Sequence, residues 1–151
     1  NAPQKEEIEI ALAEYINEHL SSCTQFEMQS DYTINEGKIT VLATIGNDNI
    51  VFNVNYPLSI QKGEKSFDLD NFEIELPVRL GVIYDSAYHI VENELGDPYI
   101  CIDCMDYFAE TYNLNINLIT YPDTTVIVSI RDEQSTIKEE ALTFNFLNQY
   151  V

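Results

Sequence analysis

Positive charge is what this sequence has least of. Seven lysines and arginines stand against 26 aspartates and glutamates, for a formal net charge of −19. That balance repels nucleic acid unless a cation intervenes and disfavours an anionic membrane surface as a direct partner; an unknown protein or cationic partner, bound cations or high-salt surroundings remain open. The acids are scattered along the chain, as expected where their role is solvation. Cysteine and histidine are scarce too, at three and two, and tryptophan is absent. A structural zinc site needs four ligands in two close pairs, which three cysteines do not supply. No apolar run approaches the roughly 18 residues of a membrane-spanning helix. The chain also lacks a phosphate-cradling glycine loop, a Gly-x-Ser-x-Gly elbow and an N-glycosylation sequon. No catalytic, cofactor-binding or metal-binding residue is therefore nominated, and no cofactor is expected.

What is present is enough apolar material, 45% of 151 residues, for a single globular domain over 1–151. Its centre is the stretch from Pro77 to Asn113, which reads as two helices broken at Gly96-Asp97-Pro98. The first, over 78–95, sets Leu80, Ile83, Tyr84, Ala87, Ile90 and Val91 on one side, opposite Asp85, His89, Glu92 and Asn93. Pro77 suits the first helical position and Gly96 the left-handed residue beyond the end. The second, over 98–112, begins with Asp97 as cap and Pro98 as first residue. It turns Cys101, Phe108 and Tyr112 inward with Cys104 and Met105 at their flanks, and Asp103, Asp106 and Glu110 outward.

Residues 5–21 form a third amphipathic pattern, with Ile8, Leu12, Tyr15, Ile16 and His19 on the apolar stripe. From Phe26 the period becomes two. Strands are expected over 25–35, 38–46 and 49–60, with turns at Glu36-Gly37 and Gly46-Asn47-Asp48-Asn49, and one or two more over 66–76 after the turn at Lys62-Gly63-Glu64. Strands resume over 114–118, with Leu114, Ile116 and Leu118 inward, then 124–131 after the turn at Tyr121-Pro122-Asp123, and 141–150. A helix followed by three strands thus occurs twice, over 5–60 and 98–150. The fold class is α+β: antiparallel meanders covered on one side by about three helices, in the order helix, meander, two helices, meander.

Four constellations have chemistry to weigh. Cys101-Ile102-Asp103-Cys104 has the spacing of a thioredoxin-like pair, but a helix starting at Pro98 puts Cys101 a turn inside, among acids that disfavour a thiolate, so redox catalysis is not expected. The disulfide candidates are Cys23, Cys101 and Cys104. A bridge from Cys23 to Cys101 or Cys104 is favoured, because it closes a loop of roughly 80 residues, worth about 4 kcal/mol in the chain-entropy model. Asp85, His89 and Glu92 at i, i+4 and i+7 read as a solvated helix face, and His19 as a partly buried histidine near a helix end. Asp68, Asp70, Asn71, Glu73 and Glu75 lack the spacing and glycine of a calcium loop and read as an acidic strand edge.

The segments Asn55-Tyr56-Pro57-Leu58 with Lys62-Gly63, and Glu75-Leu76-Pro77-Val78-Arg79-Leu80-Gly81, together with Cys101, resemble uncharacterised membrane-anchored exported proteins of small-genome (DPANN-type) archaea, over roughly residues 10–150. The resemblance implies an extracytoplasmic, cell-surface or secreted location, with membrane contact only through an upstream anchor, and no activity. A start at Asn1-Ala2-Pro3-Gln4 fits a processed product. The leading expectation is a non-enzymatic surface domain that binds a partner or joins a surface assembly. A pilin-like filament subunit is the first alternative, and an enzyme with a site built from scattered polar residues the second.

Overall fold

A computed structural model describes residues 3–24, 26, 31–96, 99–122 and 125–149. The fold is α+β with antiparallel sheets, in the order α1 (Lys5–Cys23), β1 (Thr33–Glu36), β2 (Thr40–Ile45), β3 (Ile50–Lys62), β4 (Lys65–Leu76), α2 (Leu80–Gly96), α3 (Ile102–Tyr112), β5 (Asn115–Thr120), β6 (Thr125–Ile137) and β7 (Glu140–Gln149). The chain divides into two compact units, 3–45 with 50–76, and 46–49 with 77–151. No helix among the described residues is long and apolar enough to cross a membrane.

In the first unit α1 lies against β2, and the Ile45 backbone N–H donates to Glu9 Oε1 at 2.8 Å. The residues it turns inward are Ile8, Leu12, Ile16 and Leu20, all half-buried, whereas Tyr15 and His19 are exposed. The apolar stripe is thus rotated from the expected one. His19 stays local, its Nδ1 2.8 Å from the Tyr15 carbonyl oxygen and its ring stacked on Tyr15 at 4.2 Å.

Glu36-Gly37 is not the turn its composition suggested. Both β1 and β2 run antiparallel to β3, with Glu36 opposite Leu58 and Thr40 opposite Asn55, so the chain keeps its direction through Gly37. They are two pieces of one row, interrupted where β3 carries Tyr56-Pro57. A proline has no N–H for the ladder. Its carbonyl instead accepts from the Gly37 N–H at 2.7 Å, and a Cβ on Gly37 would meet Pro57 Cβ at 2.8 Å. Glycine is what allows that approach. At the same joint the buried Tyr56 hydroxyl donates to Glu36, and burial first, then Glu36, raises its pKa. β4 pairs with the other edge of β3 from Ile50 opposite Leu76 to Lys62 opposite Lys65, with a register shift between Asn55 and Leu58, across the tight Gly63-Glu64 connection, where Gly63 has φ 61°.

The second unit is built on β5-β6-β7, a meander whose inner positions pack against α2 and α3. Val82, Ile83, Ala87 and Ile90 of α2 meet Met105 of α3, Leu114 just before β5, and Val128 and Ile130 of β6. Alternation puts Ile116 and Leu118 in and Asn115 and Asn117 out, as expected. β6 runs on to Ile137 and returns through Lys138 and Glu139, both at positive φ, 52° and 70°. α2 begins at Leu80, so Pro77 precedes the helix rather than opening it, and Gly96 is its last residue. The expected cap at Asp97 and Pro98 lies outside the described residues. α3 starts at Ile102 and closes on Asn113 in the left-handed conformation, φ 53°.

The inward parity of Val126, Val128 and Ile130 continues to Asp132, whose side chain is fully buried. Arg79, the residue before α2, meets it as a fork: Nε donates to Oδ2 at 2.9 Å and Nη2 to Oδ1 at 2.5 Å. The same Nη2 donates to the Tyr112 carbonyl at 3.1 Å, and the Arg79 N–H donates to Ser135 Oγ at 2.8 Å. Ser135 and the Gln134 N–H donate to the carboxylate in turn. Burial alone pushes the Asp132 pKa up, but the hydrogen bonds from Arg79, Ser135 and Gln134 outweigh it and hold the carboxyl below its ordinary value.

A carboxyl with a depressed native pKa contributes stability that is present above its unfolded value, about 3.9, and lost as pH falls through the native one. Acidification also relieves repulsion among the other carboxylates, so the difference between wild type and Asp132→Asn isolates this group. Urea unfolding from pH 6 to pH 2 is expected to show wild type ahead, with the gap narrowing below about pH 4. A gap that stays constant to pH 2 would contradict the assignment.

Candidate functional site

The cysteines are not paired as the loop argument favoured. Cys101 and Cys104 form the disulfide, with Cα atoms 5.3 Å apart, while Cys23 is free and exposed at the end of α1. The physical reason is proximity: two cysteines three apart at a helix start are within bridging distance by local geometry alone, before any long loop is closed. The position of Cys101 also differs from expectation. Because α3 begins at Ile102, Cys101 is its N-cap rather than a residue one turn inside, and its Sγ accepts the Cys104 backbone N–H at 3.3 Å.

Beside the bridge runs a groove of about 570 Å³ between α2 and α3. Asp85, Ser86 and His89 line it from α2, and Cys104, Phe108 and Tyr112 from α3. Its wall is a stack of rings: His89 lies nearly parallel to Phe108 with centroids 6.0 Å apart, and Phe108 to Tyr112 at 6.3 Å. Tyr107 meets Phe108 edge-on at 5.3 Å. Asp85 and His89 thus face a groove shared with a cystine. Glu92, the third member of the expected polar face, instead accepts from the Tyr88 hydroxyl at 2.8 Å, which raises the tyrosine pKa.

The acidic run resolves into an edge strand. On β4 the side chains of Phe67, Leu69, Phe72 and Ile74 stand on the face shared with the buried residues of β3, yet they are 36% to 50% exposed. Asp68 and Glu73 stand together on the opposite face, but five residues apart along an extended strand, roughly 15 Å, too far to converge on one ion. Among the described residues no three histidine, cysteine, aspartate or glutamate side chains cluster as metal ligands, and no strand pairs with the second edge of β4.

No protein-family profile, curated protein or solved structure matches this chain. The chemistry of its sites is therefore read from their geometry.

A cystine spanning so few residues removes only about 2 kcal/mol of unfolded-chain entropy, against more than 4 for the long loop. A Cys101→Ser, Cys104→Ala variant, in which serine keeps an N-cap acceptor, is expected to stay folded, with Tm lowered by no more than about 8 °C. Thermal unfolding followed by circular dichroism checks this, and a variant unfolded at 25 °C would show that the bridge holds the unit together.

Proposed function

We propose that the chain is a binding domain acting outside the cytoplasm, in which the first unit holds an extended, basic segment of a partner protein along the second edge of β4. The observation that carries this reading is the composition of that strand. Among the described residues no strand covers its second edge, which leaves backbone donors and acceptors open over 65–74, with a half-exposed apolar row on one face and carboxylates on the other. An added strand satisfies the backbone row, apolar side chains of the segment extend the Phe67–Ile74 row, and alternate lysines or arginines meet Asp68 and Glu73. Pairing of two β4 edges would instead bring the carboxylates of both copies together, which favours a cationic partner over self-assembly through this edge.

The disulfide supports a location outside the cytoplasm, since cytosolic thiols are kept reduced. The resemblance of Asn55–Leu58 and Glu75–Gly81 to exported archaeal surface proteins points the same way. The role read for the first unit is capture of a partner, without catalysis.

A ten-residue peptide of alternating lysine and valine is the probe. At about 50 mM salt it is expected to shift backbone amide resonances of residues 66–75, and the affinity is expected to fall at least tenfold by about 500 mM. Asp68→Asn with Glu73→Gln is expected to weaken it comparably. Binding that is indifferent to salt, or shifts that leave β4 untouched, would defeat the proposal.

A further inference from the structure

The Cys101–Cys104 bridge closes a short loop, and its two sulfurs are not equivalent. Cys104 lines the groove between α2 and α3, whereas Cys101 is the N-cap of α3 and does not line it. Cys101 Sγ sits at the positive end of an 11-residue helix and accepts the Cys104 N–H at 3.3 Å. Both features favour a thiolate there. We infer that this cystine is a thiol–disulfide exchange site, entered by a cysteine-bearing peptide through the aromatic groove and attacked at Cys104.

In the first step the thiolate of the incoming peptide forms a bond to Cys104 Sγ. The Cys101–Cys104 bond breaks, and its electron pair leaves on Cys101. Exchange is faster when the leaving sulfur is the weaker base, and the helix start supplies that condition. In the second step another thiol of the same peptide, as thiolate, attacks the peptide sulfur of the mixed disulfide and expels Cys104. The two protons given up by the peptide thiols are balanced by two taken up by Cys101 and Cys104. The peptide dithiol is oxidised to a disulfide and the chain is reduced to two thiols. A small-molecule disulfide of the surroundings returns the bridge by the reverse exchange.

The groove also indicates the peptide. Its stacked rings offer a flat apolar wall to an aromatic side chain, and Asp103 places a carboxylate beside Cys104. A cysteine flanked by aromatic and basic residues fits both. Asp103 works against a thiolate at Cys101, so the selectivity between the two sulfurs is a sharper readout than the overall rate.

The test uses the full chain with Cys23→Ser, which removes the exposed third thiol and leaves the bridge intact. The oxidised protein is exposed to a short Lys-Phe-Cys peptide at pH 7 and quenched in acid. Free thiols are then alkylated and the adducts mapped by mass spectrometry. The expected result is peptide on Cys104 and alkyl on Cys101 in at least tenfold excess over the reverse. That excess is expected to collapse toward an even split when the same chain is unfolded in guanidinium. A Glu-Phe-Cys peptide is expected to react at least threefold more slowly with the folded chain. An even split in the folded chain, adducts mainly on Cys101, or equal rates for the basic and acidic peptides would each overturn the inference. So would a folded chain that fails to exchange in the time the unfolded chain needs to react completely.

Discussion

The second unit depends on one buried ion pair. Asp132 carries a full charge to a site with no solvent exposure, and leaving such a charge unpaired is costly. The fork from Arg79 makes that burial tolerable, and because Arg79 immediately precedes α2, pairing fixes where the helix starts. The same guanidinium reaches the Tyr112 carbonyl at the end of α3, and the Arg79 N–H reaches Ser135 beyond the irregularity in β6. One side chain thus ties together the start of α2, the end of α3 and the central strand. The groove lies between those same two helices, with Cys104 on its α3 wall, so its geometry follows from the pair. α2 is confined at this end from a second direction as well, since a Cβ on Gly81 would lie 2.4 Å from the Gly46 carbonyl oxygen.

Much of this was legible in periodicity and some of it was not. Alternation at Leu114, Ile116 and Leu118 and the helical pattern from Leu80 to Val91 placed their elements, because one buried face forces a repeat. Three misreadings have physical causes. Glu36-Gly37 has turn composition, but its glycine serves a close approach to Pro57 on the neighbouring strand, which no local pattern reveals. The alternating pattern ends the second strand of the last meander at Arg131, whereas β6 runs on to Ile137 and turns at Lys138-Glu139, a pair that takes positive φ without the Asn-Gly or Asp-Gly signal of a two-residue hairpin. Tyr15 and His19 were put on the buried stripe of α1 by spacing, and tertiary packing rotated that stripe toward Leu20.

The candidate site was the least legible. All three cysteines were identified, but α3 starts at Ile102 rather than Pro98, which makes Cys101 a cap rather than an interior helical residue. The Arg79–Asp132 pair was missed for a different reason, since its partners are 53 residues apart in sequence. The signal was nevertheless there: continuing the parity of Val126, Val128 and Ile130 points Asp132 inward, and an inward aspartate requires a buried partner. The chain has two arginines to supply one.

A double-mutant cycle on Arg79 and Asp132 tests this dependence most directly. Arg79→Met is expected to cost about 3–5 kcal/mol in urea unfolding, because it leaves the buried Asp132 carboxylate without its cation. Asp132→Leu is expected to cost less, because the half-buried Arg79 keeps some solvent and the Tyr112 carbonyl. The double variant replaces the pair with apolar side chains and is expected to recover at least about 2 kcal/mol relative to the sum of the single losses. Strictly additive losses would show that the two residues act independently, and the pair would not be what fixes the two helices to the sheet.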